Sequence, residues 1–568
     1  MKPQLLTAAT VIASIASLAA KEQSQQLQRP NIIWISAEDT SATRWSCYGD
    51  PIPHMPVVDS LANIGVRYTN TFATAAISAP VRAGIISGMY QTSIGCHPMT
   101  TESYMRAEVD GALGYTAVPA HYIKAFTEYL RAAGYYCTNR GKTHYQFSFK
   151  EEVPKSIWDD QSGSAHFKNR PDKSQPFFAV YNSNATHGNK GLSDKSGFKC
   201  NLNDIIVPPY YIDNENARKE MANHYDNMTL FDDYVARLLN DLREDGSLDN
   251  TIIFIWSDHG SGMPRGKRWL YDSGTHIPLI VIYPNSTKGS VCEELVSTVD
   301  FGPTVLSLAG VPVPTHMEGR PFLGEQKAES RKYVYSAKDR EDENYDMIRS
   351  VRSDRYLYIR NFYTIKPYSS FLRSRNNSKM MSDLYRASIE GTLTEAQRPF
   401  MAATRPPEEL YDVVKDPHNI HNLATDPKYK KVLESMRAEQ ERWTEETGDL
   451  GHQTEDELYR RFFPDGKSMV TCTPRYTINE PGSSFRMTHD GGKGVQTIKS
   501  PAEFSLACST QGASMVYRVA KKGESMPKRW MLLSGPVRLD RGEYQIEARA
   551  QRYGYKESEP LLFELKVE

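Results

Sequence analysis

Four short apolar runs mark the first half of the chain, at residues 31–36, 176–181, 251–256 and 278–283. Neither face of these runs is polar, so each reads as a strand buried on both sides, the pattern of a parallel sheet. Between them lie helical patterns at 120–133 and 225–244. Strands alternating with helices predict an α/β fold with a large, mostly parallel sheet flanked by helices. Polar clusters follow the C-terminal ends of three of these strands, the edge where such sheets hold ligands. After residue 330 the pattern changes. Residues 333–335 and 355–359 alternate as strands do, and a charged helix is expected over 428–446. The division that follows is a large α/β domain at 21–330, a smaller α+β subdomain at 331–465, and an added β-sandwich module at 466–568. In the last, short strands such as 514–519 and 544–548 are separated by Gly, Pro and charge clusters.

The N-terminus adds a compartment. Lys2 precedes an apolar stretch from Leu5 to Ala20, with small residues at Ser17-Leu18-Ala19. This reads as a secretory signal peptide at 1–20, which predicts a secreted or periplasmic protein with no membrane contact after cleavage. Of the 568 residues, 68 are Lys or Arg and 69 are Asp or Glu. That balance excludes a chain-wide basic surface for nucleic acid. The seven cysteines form no CxxC pair, which argues against a zinc knuckle. Cys472 and Cys508 share the last segment; pairing and free thiols are both open.

The most informative stretch is Ser78-Ala79-Pro80-Val81-Arg82-Ala83-Gly84-Ile85-Ile86-Ser87-Gly88. Pro80 suits the first turn of a helix, where its missing N–H costs nothing. Ser78 then stands at the positive end of the helix, and Arg82 lies one turn on. Alone, such a stretch is more often just a capped helix. Five further segments change that reading: Gly141-Lys142-Thr143-His144, Ser257-Asp258-His259-Gly260, Gly266-Lys267 with Tyr271-Asp272-Ser273-Gly274, Thr298 to Leu306, and Glu409-Leu410-Tyr411-Asp412 with Asp416-Pro417 and Asn422-Leu423-Ala424. Together and in this order they resemble the formylglycine-dependent type I sulfatases of the alkaline-phosphatase-like superfamily, over about residues 29 to 425.

The resemblance implies that Ser78 is oxidised to formylglycine, in a Ser-type bacterial member, by an anaerobic radical maturase. The hydrated aldehyde attacks sulfur, the sugar alcohol leaves, and loss of sulfate regenerates the aldehyde. It implies one divalent cation, usually Ca²⁺, held by Glu38, Asp39, Asp258, His259 and the modified Ser78. Glu38 and His259 depart from the commoner Asp and Asn, and imidazole suits softer metals better than Ca²⁺. Lys142 and Lys267 match the lysines on sulfate oxygens. His144 matches the residue that takes the proton as the diol collapses, and His187 the acid facing the leaving oxygen. Arg82 completes the catalytic set. His97 is a candidate sugar reader, and residues 360–368 a candidate lining for a carbohydrate cleft. The expected function is hydrolysis of sulfate esters on a sulfated carbohydrate. The alternatives are a phosphate or phosphonate monoesterase of the same superfamily and a non-catalytic glycan-binding relative. For the last module, buttressing the larger domain is favoured over binding glycan.

Overall fold

A computed structural model describes residues 29–101, 114–148, 152–188, 197–370, 372, 377–479, 486–488 and 495–568. The expected signal peptide lies outside them. Seven strands form the central sheet: β1 (Asn31–Ala37), β2 (Val66–Phe72), β3 (Tyr136–Arg140), β4 (Phe177–Asn182), β5 (Thr251–Ser257), β6 (His276–Ile282) and β7 (Ser290–Ser297). Their order is β3-β4-β1-β5-β6-β2-β7. The four strands β3, β4, β1 and β5 run parallel. Successive residues of β1 feed opposite cores, which is why the strand is apolar throughout. Ile32 and Trp34 pack with Phe126 and Phe301 on one face. Ile33 and Ile35 pack with Met221, Phe231 and Leu238 on the other.

One strand departs from expectation. The run at 278–283 belongs to β6, which is antiparallel to both neighbours. A parallel return needs a crossover of a dozen or more residues, usually a helix. The segment between β5 and β6 instead stays at one end of the sheet and contributes only a single helical turn, Asp272–Thr275. Pro278, inside β6, faces the irregularity in β2 where pairing skips from Tyr68 to Thr71, so its missing N–H is accommodated there.

Helices α1 (Ser78–Ser87), α2 (Phe126–Ala132), α3 (Glu215–Glu244) and α4 (Phe301–Leu308) cover the sheet. Helix α2 begins later than residue 120 because preceding backbone groups are used elsewhere: the Ala125 amide donates to the Tyr553 hydroxyl at 3.0 Å. Helix α3 begins ten residues earlier than its apolar pattern, capped by the Asn214 side chain, which accepts from the Ala217 amide. Asn223, His224 and Asn227 are buried along it and break the hydrophobic stripe.

Beyond 330, strands β8 (Val334–Lys338), β9 (Ile348–Arg352), β10 (Tyr356–Asn361) and β11 (Glu408–Asp412) form an antiparallel sheet. Helix α5 (Lys430–Thr447) packs on it through Leu433, Met436 and Trp443. The last hundred residues hold a four-stranded and a five-stranded sheet. These share one core that includes Tyr476, Phe504, Ile546 and Phe563. All seven cysteines are free thiols; the Cys508 Sγ lies 3.2 Å from the Cys472 carbonyl oxygen.

Candidate functional site

The four adjacent parallel strands deliver one polar cluster at their C-terminal ends. Glu38 and Asp39 follow β1, Asp258 and His259 follow β5, Asn182 ends β4 with His187 just beyond, and Lys142 follows β3. Asp39 holds φ at +53°, a left-handed conformation that turns the chain sharply off the strand. Every residue of α1 is buried, and Gly88 ends it with φ at +67°. The helix therefore points its N-terminus, with Ser78 in the first turn, into this cluster.

The Ser78 Oγ is 1% exposed as part of its residue and has two polar partners. The Lys142 ammonium donates to it at 3.1 Å, and the His259 Nε2 lies 3.2 Å away. Arg82 projects from the next turn of α1. Its Nη2 reaches Asp258 at 3.1 Å and Glu38 at 3.4 Å, and its Nη1 donates to the Asn182 side-chain oxygen at 2.8 Å. Lys142 also lies 3.2 Å from Glu38. Lys267, on the segment between β5 and β6, lies 2.9 Å from both carboxylate oxygens of Asp39. Three carboxylates, Glu38, Asp39 and Asp258, are thus matched by three cations, Arg82, Lys142 and Lys267.

Burial works against ionising Asp39, yet Lys267 and His259 hold its carboxyl well below the usual carboxylate range. Asp258 is likewise lowered: His259, Arg82 and Lys142 overcome its burial. Both carboxylates are charged at neutral pH. The His259 Nδ1 donates to the Gly260 carbonyl at 3.0 Å, and its Nε2 faces Asp39 at 3.1 Å and Asp258 at 3.7 Å; in the neutral tautomer that nitrogen offers its lone pair to a metal. Three lone-pair donors converging in a buried space are the arrangement a cation stabilises. Ligand atoms of Asp39, Asp258 and His259 all lie within 4.8 Å of one another. These residues fit a divalent ion. Glu38 falls instead in a second group with Asp39 and His187. There the ammonium groups of Lys142 and Lys267 already neutralise the two carboxylates.

Burial pushes the His144 pKa down to about 4, helped by the positive charges of Lys142 and Arg82 and opposed by Asp342. His144 is therefore neutral at pH 7 and able to accept a proton. The His187 ring is partly exposed, 3.9 Å from Glu38, and burial lowers its pKa as well. His97 stands elsewhere. It is 5% exposed, and the charged groups acting on it are Asp449, Arg349, Glu455 and Arg340. None of these four groups belongs to the cluster around Ser78. Within 360–368, Tyr368 is buried against Glu409. Arg360 pairs with Glu441. Tyr363 and Lys366 cluster at the surface with Tyr345, the two rings 5.9 Å apart.

Sequence reasoning missed Asn182. Its oxygen accepts from Arg82 and from Ser36, both at 2.8 Å, and its amide donates to the Asn139 side chain and the Lys142 carbonyl. It ties three strand ends together. The only signal for it was its place at the end of an apolar run.

The chain matches the Sulfatase family over residues 30–175 and 158–311, and the N-sulphoglucosamine sulphohydrolase C-terminal family over 264–405. It is 34% identical over 573 residues to an ulvan-active sulfatase of Formosa agariphila, covering 94% of this chain and 91% of that one. It is 25% identical to human N-sulphoglucosamine sulphohydrolase, covering 74% and 91%. Among solved structures, a 2-O GAG sulfatase aligns with a TM-score of 0.52 at 21% identity, over 75% of this chain and 94% of that one. A protein in complex with its substrate D-glucosamine-2-N,6-O-disulfate aligns at 0.52 and 19%, over 75% and 100%. The ordered segments around Ser78, the sheet that gathers them and a relative sharing a third of its residues over nearly the whole length lead to one conclusion: the chain belongs to the sulfatase family and is a sulfuric ester hydrolase.

Proposed function

We propose that this sulfatase is secreted and releases sulfate from a sulfated carbohydrate through an aldehyde made from Ser78. The observation that carries the reading is the pair of contacts on the Ser78 Oγ, Lys142 at 3.1 Å and His259 at 3.2 Å. Maturation removes two hydrogens from the Ser78 side chain, with a radical maturase as the oxidising enzyme, and the resulting formylglycine supplies a nucleophile that resets after each turnover. A divalent cation, Ca²⁺ in this reading, adds positive charge beside that nucleophile and the sulfate. Asp39, Asp258 and His259 would hold it, with Ser78 and Glu38 beside them. The three cationic and three anionic side chains cancel, so a bound ion would leave the pocket two charges positive, suited to a sulfate group.

The remaining steps fall to side chains. Lys142 and Lys267 bind sulfate oxygens and hold them against the Ser78 side chain. Arg82 keeps Asp258 ionised and orients Asp258 and Glu38. His187, in the protonated form that Asp39 and Glu38 favour against its burial, gives a proton to the departing sugar oxygen. Neutral His144 takes the proton whose loss expels sulfate. Engagement of Lys142 and Lys267 with Glu38 and Asp39 favours this one-ion chemistry over a two-metal phosphomonoesterase. The name of the 34% identical relative, an ulvan-active sulfatase, supports a polysaccharide-derived substrate. The exposed Tyr363 and the half-buried Tyr345 and Lys366 are proposed to support neighbouring sugars, with His97 acting at most indirectly.

The test is sulfate and phosphate release from a panel of sulfated oligosaccharides, ulvan-derived ones included, and one aryl phosphate. The chain is co-expressed with an anaerobic maturase and supplied with Ca²⁺. Sulfate release that requires both maturase and Ser78 supports the reading. Phosphate release without maturase overturns it in favour of the esterase.

A further inference from the structure

Two side chains of the site sit on an unusual stretch of backbone. Between Gly141 and Phe147, the non-glycine residues His144 and Gln146 hold φ at +59° and +63°. Such a conformation is unfavourable for a residue with a Cβ and persists only where the surroundings over-determine it. This segment carries Lys142 and His144, and its conformation aims them.

The surroundings come in part from the other end of the chain. The Tyr553 ring stacks on Phe147 with centroids 4.6 Å apart and 25° between planes. Phe147 in turn stacks on Tyr145 at 5.9 Å. The Gly554 amide donates to the Phe147 carbonyl at 2.7 Å. Gly554 holds φ at +80°, and a Cβ there would come within 2.6 Å of the Ala117 carbonyl oxygen. Ala117 itself donates to the Gln146 carbonyl at 3.0 Å. Tyr553 is 2% exposed, and its hydroxyl is fixed by the Glu128 carboxylate on α2 and by the Ala125 amide. The Tyr553–Gly554 tip is thus wedged under the segment that positions Lys142. Other contacts of the module are spread more widely: Arg529 pairs with Asp159 at 2.8 Å, Lys155 with Glu557 at 2.6 Å, and Lys124 bonds Ser514 at 2.8 Å.

We infer that the C-terminal β-sandwich is a positioning part of the catalytic apparatus, acting through Tyr553 and Gly554 on the segment that holds Lys142 and His144, and is not a detachable glycan-binding module. The ring of Tyr553 fills the space beneath Phe147. Without it, the left-handed residues relax toward cheaper conformations and the Lys142 ammonium leaves its place on the Ser78 side chain. The inference rests on the proposed role of Lys142, so both are tested together.

Steady-state kinetics and thermal melting would compare full-length Tyr553→Leu, Tyr553→Phe, Arg529→Ala and Lys142→Ala proteins, each matured in the same way. Misplacing a reacting group by about 1 Å costs up to about 100-fold in rate. Tyr553→Leu should therefore lower kcat by about 10- to 100-fold while KM changes much less. Tyr553→Phe, which keeps the stack, should restore kcat. Arg529→Ala breaks a contact of the same interface away from the segment, and should lower the melting temperature with kcat unchanged. If Tyr553→Leu does not fold, Tyr553→Met fills the space without a ring and gives the same readout. Hydrogen exchange should be faster in residues 141–148 of the ring-lacking variant than in Tyr553→Phe. Wild-type kcat in a folded Tyr553→Leu or Tyr553→Met protein overturns the inference, as does loss of kcat in Arg529→Ala in proportion to its melting temperature. Wild-type activity in Lys142→Ala would instead overturn the site assignment beneath it.

Discussion

Replacing Arg82 with Leu tests how charge is balanced around Ser78. The guanidinium is 6% exposed and serves three acceptors: Asp258, Glu38 and Asn182. Leu fills much of its volume but supplies no donor. Glu38 keeps Lys142 at 3.2 Å, whereas Asp258 keeps the backbone amides of His259 and Asp39 at 3.0 and 3.4 Å and the His259 ring at 3.7 Å. Breaking a buried pair by removing one partner costs about 3–5 kcal/mol. Since Glu38 stays paired, the lower end, about 3 kcal/mol, is expected in chelator. A divalent cation offers Asp258 a replacement charge, so added Ca²⁺ should recover part of the lost stability. Activity should fall about 100-fold or more, the usual cost of removing one preorganised electrostatic group. The assay is thermal melting of wild type and Arg82→Leu, with EDTA and across a Ca²⁺ titration, beside kcat/KM on a sulfated oligosaccharide. Melting at the wild-type temperature in EDTA would refute the charge argument. A Ca²⁺ response no larger than that of Asp258→Asn would refute the ligand assignment.

Other consequences are open to direct measurement. Asn182→Leu leaves Arg82 without one acceptor and frees the Lys142 carbonyl; kcat should fall at least tenfold with the fold retained, as read by kinetics and circular dichroism. His97, neutral in the folded protein with a pKa near 4 against 6.5 unfolded, should cost stability as pH falls from 6.5 toward 4, because the unfolded chain binds the extra proton. The loss is about 2 kcal/mol at pH 5 from the linkage relation, and His97→Gln should melt with a correspondingly smaller drop between pH 7 and pH 5. The double variant Tyr345→Ala/Tyr363→Ala should raise KM several-fold for a sulfated oligosaccharide and leave hydrolysis of a small aryl sulfate unchanged; equal effects on both would remove the aromatic pair from substrate binding.

Much of this site was readable before any coordinates. Asp39 and Asp258 follow apolar runs, and strand ends of a parallel sheet converge, so their nearness was readable from the pattern, whereas their reading as metal ligands came from the family resemblance. A helix fixes the spacing of Ser78 and Arg82, but only the ordered resemblance of the other segments distinguished them from a capped helix. Other features depend on contacts that local patterns do not carry. Asn182 is an ordinary polar residue at a strand end, and its role exists only once Arg82 and Lys142 arrive from other segments. The direction of β6 could not be read from its apolar run, since a strand buried on both faces looks alike in either sense. The late start of α2 and the wedge under Phe147 both trace to Tyr553, from the opposite end of the sequence. Local propensity at 120–125 yields there to a tertiary hydrogen bond.

The central claim is that Ser78, converted to an aldehyde, is the group that attacks sulfur. The direct measurement is the mass of the Ser78 peptide, taken beside sulfate release, for protein made with and without an anaerobic maturase and for Ser78→Ala. The account predicts a peptide two hydrogens lighter only with maturase, and sulfate release that rises in step with the fraction converted and vanishes in Ser78→Ala. Sulfate release from the unconverted protein or from Ser78→Ala, at the rate of the converted enzyme, would contradict it.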